Sequence, residues 1–243
     1  MLLVVGLARA VPPEPAAGPD SAPGSALNYF KEGLALAEKG DVRAALERFE
    51  HARDLAPRWG LPYLEIAAAH HALGDDRGVI GAALQKAVYY GQDLPRAHYL
   101  YGVFLQESGR RQEAIKELQR ATELRGTMTE ARFQLATALV EEGRQSEGIE
   151  QCLQAVKDVP NNLGCRRYLA VLYEQSGHLE KAEEQLKAAA DTNPHHVAQL
   201  DALARFYQRV GWNEKAQATL QRIERIDPSK NKRKLRPLLK SVN

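Results

Sequence analysis

The chain has 243 residues, 44% of them apolar and 26% charged, with a formal charge of +2. That balance excludes a disordered polar chain, which cannot bury enough apolar surface to order itself. Two cysteines exclude a disulfide scaffold and a zinc site built mainly on thiolates, and no apolar run approaches the roughly 18 residues of a membrane-spanning helix.

Residues 1–25 differ in kind from the rest. Met1 to Ala10 reads MLLVVGLARA, a short apolar run (Leu2, Leu3, Val4, Val5, Leu7) followed by Ala8-Arg9-Ala10, which resembles a signal-peptidase site. The stretch after it, PPEPAAGPDSAPGS, is an extended Pro/Ala-rich linker that can neither pack nor propagate a helix. No basic residue precedes the apolar run. Two readings therefore stand: the remnant of an export signal, which places the protein in the periplasm or cell envelope, or a disordered arm of a cytoplasmic protein.

From residue 26 onward a fixed period organises the chain. Gly40, Gly74, Gly109, Gly143, Gly177 and Gly211 are spaced by 34, 35, 34, 34 and 34 residues. Each lies between two amphipathic stretches with apolar residues three or four apart, which is the helical period. Glycine at such a junction supplies a turn that a side chain hinders. Seven residues before each glycine the chain is always small (Gly33, Ala67, Gly102, Ala136, Ala170, Ala204), and four before it carries Leu36, His70, Leu105, Leu139, Tyr173 or Tyr207. Five residues after come Ala45, Ala114, Ala182 and Ala216, with Val79 and Gly148 in units two and four. Nine after come Phe49, Leu118, Cys152, Leu186 and Leu220, and Pro57, Pro160, Pro194 and Pro228 close four of the units. The predicted units are 26–59, 60–94, 95–128, 129–162, 163–196 and 197–228. Unit two departs from the pattern: it carries one extra residue, has Gly78 and Gly81 in its second helix, and lacks the closing proline. Its second helix is expected to be the most labile of the array.

The order of small and large positions, the repeat length and the closing proline resemble the tetratricopeptide repeat, in six tandem copies over residues 26–228. That resemblance implies an all-α fold, a right-handed superhelical solenoid of helix-turn-helix units. Residues 229–243 hold six basic side chains and no acid, leaving residues 1–228 with 27 basic against 31 acidic residues, a charge of −4. This tail contains Leu235, Leu238, Leu239 and Val242, a pattern suited to a capping helix on the last unit. Contact of the basic tail with anionic lipid, nucleic acid or an acidic partner is the sharper alternative.

The sequence offers no catalytic constellation. His70-His71 and His195-His196 are adjacent residues whose side chains point apart, and neither H-E-x-x-H nor C-x-x-C occurs. Every glycine-rich position belongs to the repeat frame. Cys152 and Cys165 read as small buried hydrophobes, with a disulfide open to them in an oxidising compartment. No catalytic residue, metal site, cofactor or small-molecule substrate is expected.

The resemblance implies a binding groove lined by the first helices. Carried over by position, the groove residues stand ten and six before each glycine: Phe30, Leu34, Leu64, Ala68, Tyr99, Val103, Phe133, Thr137, Arg167, Val171, Asp201 and Arg205. The first four units give an apolar and aromatic stripe suited to an apolar or amphipathic segment of another protein, and the arginines of the last two are suited to an acidic group. The competing reading makes part of the stripe core. The Lys and Asn set of chaperone-tail-binding arrays and the asparagine ladder of glycosyltransferase arrays are both absent from these positions. In layout the chain is similar to the envelope assembly factors of Gram-negative bacteria, type IV pilus pilotins included, without their lipid-attached cysteine. The expected function is a non-enzymatic protein-binding scaffold in assembly of a bacterial envelope complex. Alternatives are a cytoplasmic scaffold and a regulatory or substrate-presenting subunit of a separate enzyme.

Overall fold

The computed structural model describes residues 24–228. The export signal expected in Met1–Ala10, the linker as far as residue 23 and the C-terminal cap with Leu235, Leu238, Leu239 and Val242 lie outside the described residues; Gly24 and Ser25, expected in the linker, instead open the first helix. Among the described residues there are twelve α-helices and no strand. They are α1 (Gly24–Glu38), α2 (Val42–Leu55), α3 (Gly60–Leu73), α4 (Arg77–Tyr90), α5 (Pro95–Glu107), α6 (Arg111–Leu124), α7 (Thr129–Glu141), α8 (Gln145–Asp158), α9 (Leu163–Gln175), α10 (Leu179–Thr192), α11 (Val197–Arg209) and α12 (Asn213–Ile226). The chain divides into two compact units, residues 1–138 and 139–243, with α7 running across the division. In the first unit each helix from α1 to α6 packs on the next, and in the second the same holds from α8 to α12. This is the all-α helical repeat that the glycine period predicts.

The six marked glycines make the turns. Their φ angles run from +74° at Gly74 and Gly177 to +83° at Gly40, the left-handed region closed to most side chains. In every turn the N–H that follows the glycine donates back to the carbonyl of the residue four before it. Asp41 donates to Leu36, Arg110 to Leu105, Arg144 to Leu139 and Trp212 to Tyr207, at 2.8–3.0 Å. This closing bond satisfies a helix-end carbonyl and reverses the chain in three residues, so the second helix of each pair returns along the first.

The small residue seven before the glycine makes room for the large one on the returning helix. A Cβ on Gly33 would come within 2.6 Å of Phe49 Cε1, and one on Gly102 within 2.7 Å of Leu118 Cγ. Phe49 and Leu118 are fully buried as a result, beside Ala45, Ala52, Ala114 and Ala121.

Unit two departs from the sequence-based alignment in an informative way. Its extra residue lies in the turn between Gly74 and α4, not inside the helix: α4 begins three residues after its glycine, whereas α2, α6, α8, α10 and α12 begin two after theirs. Counting from the glycine therefore assigned Val79 to a core position, yet Val79 is 45% exposed. Ile80, Leu84 and Ala87 are the buried residues instead. The two aspartates between Gly74 and α4 serve the turn directly: Asp76 Oδ1 accepts from Gly78 N at 2.7 Å and Asp75 Oδ2 lies 2.7 Å from His70 Nδ1. Gly81 also has a packing purpose. The ring of Phe104 lies on it, and a Cβ there would meet Cζ at 2.5 Å. That contact offsets part of the helix propensity the glycine gives up.

A further regularity sits eleven residues before the glycines, where the sequence alternates between apolar and polar types. Tyr63 Oη donates to the Pro57 carbonyl at 3.0 Å, Arg132 Nε to Gly126 at 2.9 Å and Arg166 Nε to Pro160 at 2.8 Å. His98 Nε2 lies 3.1 Å from the Gln92 carbonyl. In each case the side chain clasps the carbonyl six residues earlier, in the turn that joins one helix pair to the next. The same side chains reach the second helix of their own pair: His98 Nδ1 is 2.7 Å from Glu117 Oε2, and Arg166 Nη1 donates to Gln185 Oε1 at 3.0 Å. In the first pair Arg48 covers the ring of Tyr29 at the equivalent place. The site reads as variable in type because hydroxyl, imidazole and guanidinium all donate to a carbonyl.

Candidate functional site

Within each compact unit the first helices of successive pairs are tied side by side. Arg96 Nη1 of α5 bonds to Glu65 Oε1 of α3 at 2.5 Å, and Gln106 Nε2 of α5 donates to Thr137 Oγ1 of α7 at 3.4 Å. In the second unit Arg209 of α11 grips Glu174 of α9 with two bonds of 2.7 and 2.8 Å. These ties join residues 31 or 35 apart, so they mark the surface that each first helix shows to the next.

The predicted groove residues divide along this surface. Leu34, Ala68, Tyr99, Phe133 and Thr137 are half-buried on α1, α3, α5 and α7 of the first unit. Phe30, Leu64 and Val103 are not wall residues: they are buried, Leu64 to 1% exposure. Phe30 is held in the core by Phe49 and Trp59, whose ring centroids lie 5.6 and 4.8 Å away. The physical reason is the helical period. Phe30 and Leu64 stand ten before their glycines, between the core positions fourteen and seven before, and so can turn inward; Tyr99 and Phe133 at the same offset stay half-buried, so the neighbouring elements decide which way such a side chain goes. Thr137 spends its hydroxyl on Gln106 and on the Gln134 carbonyl. In the second unit Val171 is 44% exposed and Arg167 is exposed on α9. Arg205 is bound to Asp201 at 2.7 Å, one turn away on α11, so these two charges neutralise each other. The expected grip on an acidic group is thereby reduced to Arg167.

Sequence reasoning missed Leu27, which is 37% exposed on α1, and the half-buried Leu61 and Leu100 on α3 and α5. They stand thirteen or nine before their glycines, on the same stripe as the residues six before. A helical-wheel reading of that stripe finds them. Beside Ala68 and Leu100 opens a cleft of about 210 Å³ between α3, α4 and α5. Its floor includes Ile80, Leu84 and Phe104, and Asp75 from the turn before α4 stands at its rim with Arg77 and Glu107.

Several ionisable groups on and beside these helices are engaged in structural contacts. Burial, aided by the charge of Glu130, raises the Tyr99 hydroxyl above its ordinary value. The hydrogen bonds from Arg209 hold the Glu174 carboxyl low. Burial works to raise Glu183, but hydrogen bonds from Lys215 and Tyr207 outweigh it and the carboxyl is also held low. Both carboxyls bind protons less readily folded than unfolded. Their stabilisation is in place above the ordinary carboxylate value of about 4.3 and is lost as pH falls through the lower folded values. A Glu174→Gln/Glu183→Gln variant is therefore expected to lose less stability than the parent between about pH 5 and about pH 3. Urea-unfolding midpoints across that range check it.

Among the described residues no group of three or more His, Cys, Asp and Glu side chains is placed to hold a metal ion.

Family models described as tetratricopeptide repeat match residues 95–127 and 139–205. These matches fall on the frame of left-handed glycines and small–large helix contacts. The chain is a tetratricopeptide repeat protein. No curated protein sequence matches it significantly. Among solved structures, it is similar to YrrB, described as a TPR protein with an unusual peptide-binding site, at 26% identity and TM-score 0.61, over 73% of this chain and 91% of YrrB. It is similar in fold to PilF of Pseudomonas aeruginosa at 16% identity and TM-score 0.67, over 84% and 93% of the two chains. MamA from Desulfovibrio magneticus RS-1 shares the fold at 16% identity and TM-score 0.62, over 72% of this tetratricopeptide repeat protein and 99% of MamA.

Proposed function

We propose that this tetratricopeptide repeat protein is a non-catalytic adaptor that holds an apolar or amphipathic segment of another protein against the first helices of its N-terminal repeats. One observation carries the reading. Leu34 and Ala68, six residues before their glycines, and Tyr99 and Phe133, ten before theirs, form a half-buried apolar row on α1, α3, α5 and α7 that Leu27, Leu61 and Leu100 widen. A row of aromatic and aliphatic side chains offers contact area at low entropic cost, and anchors of this kind contribute about 2 kcal/mol each when they are hot spots. The peptide-binding site named for YrrB supports the same class of partner. The apolar run Leu2–Leu7 before Ala8-Arg9-Ala10 supports a place in the bacterial envelope, which fractionation of the native organism tests.

The binding test is capture of the partner from that organism. Tyr99→Ala with Phe133→Ala is expected to lose the polypeptide that the parent retains, at unchanged helicity. Tyr89→Ala, on the 69%-exposed Tyr89 of α4, is expected to keep it. Undiminished capture by the double variant, and by Ala68→Gln on the same wall, defeats the reading.

A further inference from the structure

Cys152 lies in the middle of α8, the second helix of the fourth pair, and Cys165 in the first turn of α9, the first helix of the fifth. Both are fully buried, at 0% exposure. Both are free thiols on two helices that pack together within one compact unit, and the Cys165 side chain is the largest influence on the Cys152 thiol. Asn162 caps α9 by accepting from the Cys165 N–H at 2.9 Å, which fixes where that thiol enters the interface. The other pairs place Phe49, Leu84, Leu118, Leu186 and Leu220 where Cys152 stands. Only here does that position meet a second sulfur.

We propose that Cys152 and Cys165 are the two halves of an intramolecular disulfide that staples α8 to α9, closed by thiol–disulfide exchange with a small disulfide oxidant. The thiolate of one cysteine attacks a sulfur of the oxidant, forming a mixed disulfide and releasing one thiolate. The other cysteine, losing its proton, attacks the protein-side sulfur of that mixed disulfide and releases the second. Two protein thiols give up two electrons and two protons, and the oxidant leaves as two thiols.

The folded interface controls when this happens. The Cys165 side chain and burial push the Cys152 thiol up, so the nucleophilic thiolate is scarce in the closed state. Exchange belongs to the opened or folding chain, in which the thiols are accessible and ordinary. Refolding α8 onto α9 then brings the sulfurs together, and the finished bond is shielded from reductant by the burial that protected the thiols. The reduced protein is an inert dithiol, and the oxidised one carries a covalent tie between consecutive repeats.

The test uses the full chain, reduced in denaturant and refolded with oxidised glutathione, followed by alkylation in denaturant and intact-mass measurement. The expected product is a monomer lighter by two hydrogens and carrying no alkyl groups. Proteolysis is expected to yield one linked pair of peptides containing Cys152 and Cys165. Its melting temperature is expected to exceed that of the reduced protein. Dithiothreitol is expected to open the bond about tenfold or more slowly in native buffer than in denaturant. Cys165→Ala removes both the bond and the melting shift. Two alkylated thiols, a glutathione adduct, a disulfide-linked dimer, or failure of the oxidised chain alone to recover its helix content would each overturn the proposal.

Discussion

Phe49→Ala is expected to lower the stability of the first helix pair by about 3–5 kcal/mol, the cost of emptying a large aromatic site that cannot collapse. Phe49 is 1% exposed. Its ring packs against Phe30 and lies directly over Gly33, whose missing side chain is the space the ring uses. The reciprocal change follows from the same geometry. Gly33→Ala puts a methyl group 2.6 Å from Phe49 Cε1, and overpacking of this kind costs about 1–3 kcal/mol. Combining Gly33→Ala with Phe49→Leu is expected to recover much of that loss, because the fifth and sixth pairs already combine Ala170 with Leu186 and Ala204 with Leu220 at the same places. The two changes should thus be strongly non-additive in a double-mutant cycle. Neighbour-only contact confines the effect, so hydrogen exchange in α1 and α2 is the sensitive readout, together with urea unfolding. Additive energies would show that Gly33 and Phe49 do not share one cavity.

The parts of the fold legible in the sequence were those fixed by a local requirement. A left-handed turn every 34 residues needs glycine, and all six glycines have that backbone. A close helix approach needs a small residue, and Gly33 and Gly102 face Phe49 and Leu118 as their spacing implies. Where a requirement is met by several chemistries, the pattern is hidden. His98, Arg132 and Arg166 share one structural task with Tyr63, but nothing in their apolar content says so. Counting offsets from glycine fails after Gly74 for a different reason. The added residue sits downstream of the reference point, so every core position of α4 moves by one, from Val79 to Ile80 and onward.

The candidate site was legible in outline and not in detail. Placing Tyr99 and Phe133 on the exposed side of their helices depended on a position carried over from similar repeats. Whether such a residue stays on the wall depends on what the next helix offers it. Trp59, just before α3, offers Phe30 a ring, and Phe30 leaves the wall for the core. Arg205 is lost to the site through Asp201, an i,i+4 partner visible in the sequence. Both effects come from neighbours of the site, not from the site residues themselves.

Gly60→Ala sets a methyl group against rigid backbone alone. A Cβ on Gly60 would lie 2.7 Å from Gly91 N, 2.8 Å from Gly91 Cα and 2.9 Å from the Ala87 carbonyl oxygen. All three are backbone atoms, so no rotamer change relieves the contact. The start of α3 and the end of α4 touch backbone to backbone here, at the junction where Gln92 stands in place of a closing proline. With no proline to stop α4, the unit is closed by this contact and by the hydrogen bond between His98 and the Gln92 carbonyl. The methyl group must push the last turn of α4 away, which draws Leu94 and the clasp with it. The expected cost is at the upper end of the 1–3 kcal/mol range for overpacking, or about 3 kcal/mol. It should appear first as faster hydrogen exchange in Ala87–Gly91 and at the start of α3. Gly164→Ala, in the first turn of α9, is the matched control: its nearest neighbour would be 3.4 Å away at Asn162 Oδ1. That change should be neutral or gain up to about 1 kcal/mol from helix propensity. Equal stability of the two variants would mean that the Gly60–Gly91 contact does not hold unit two closed.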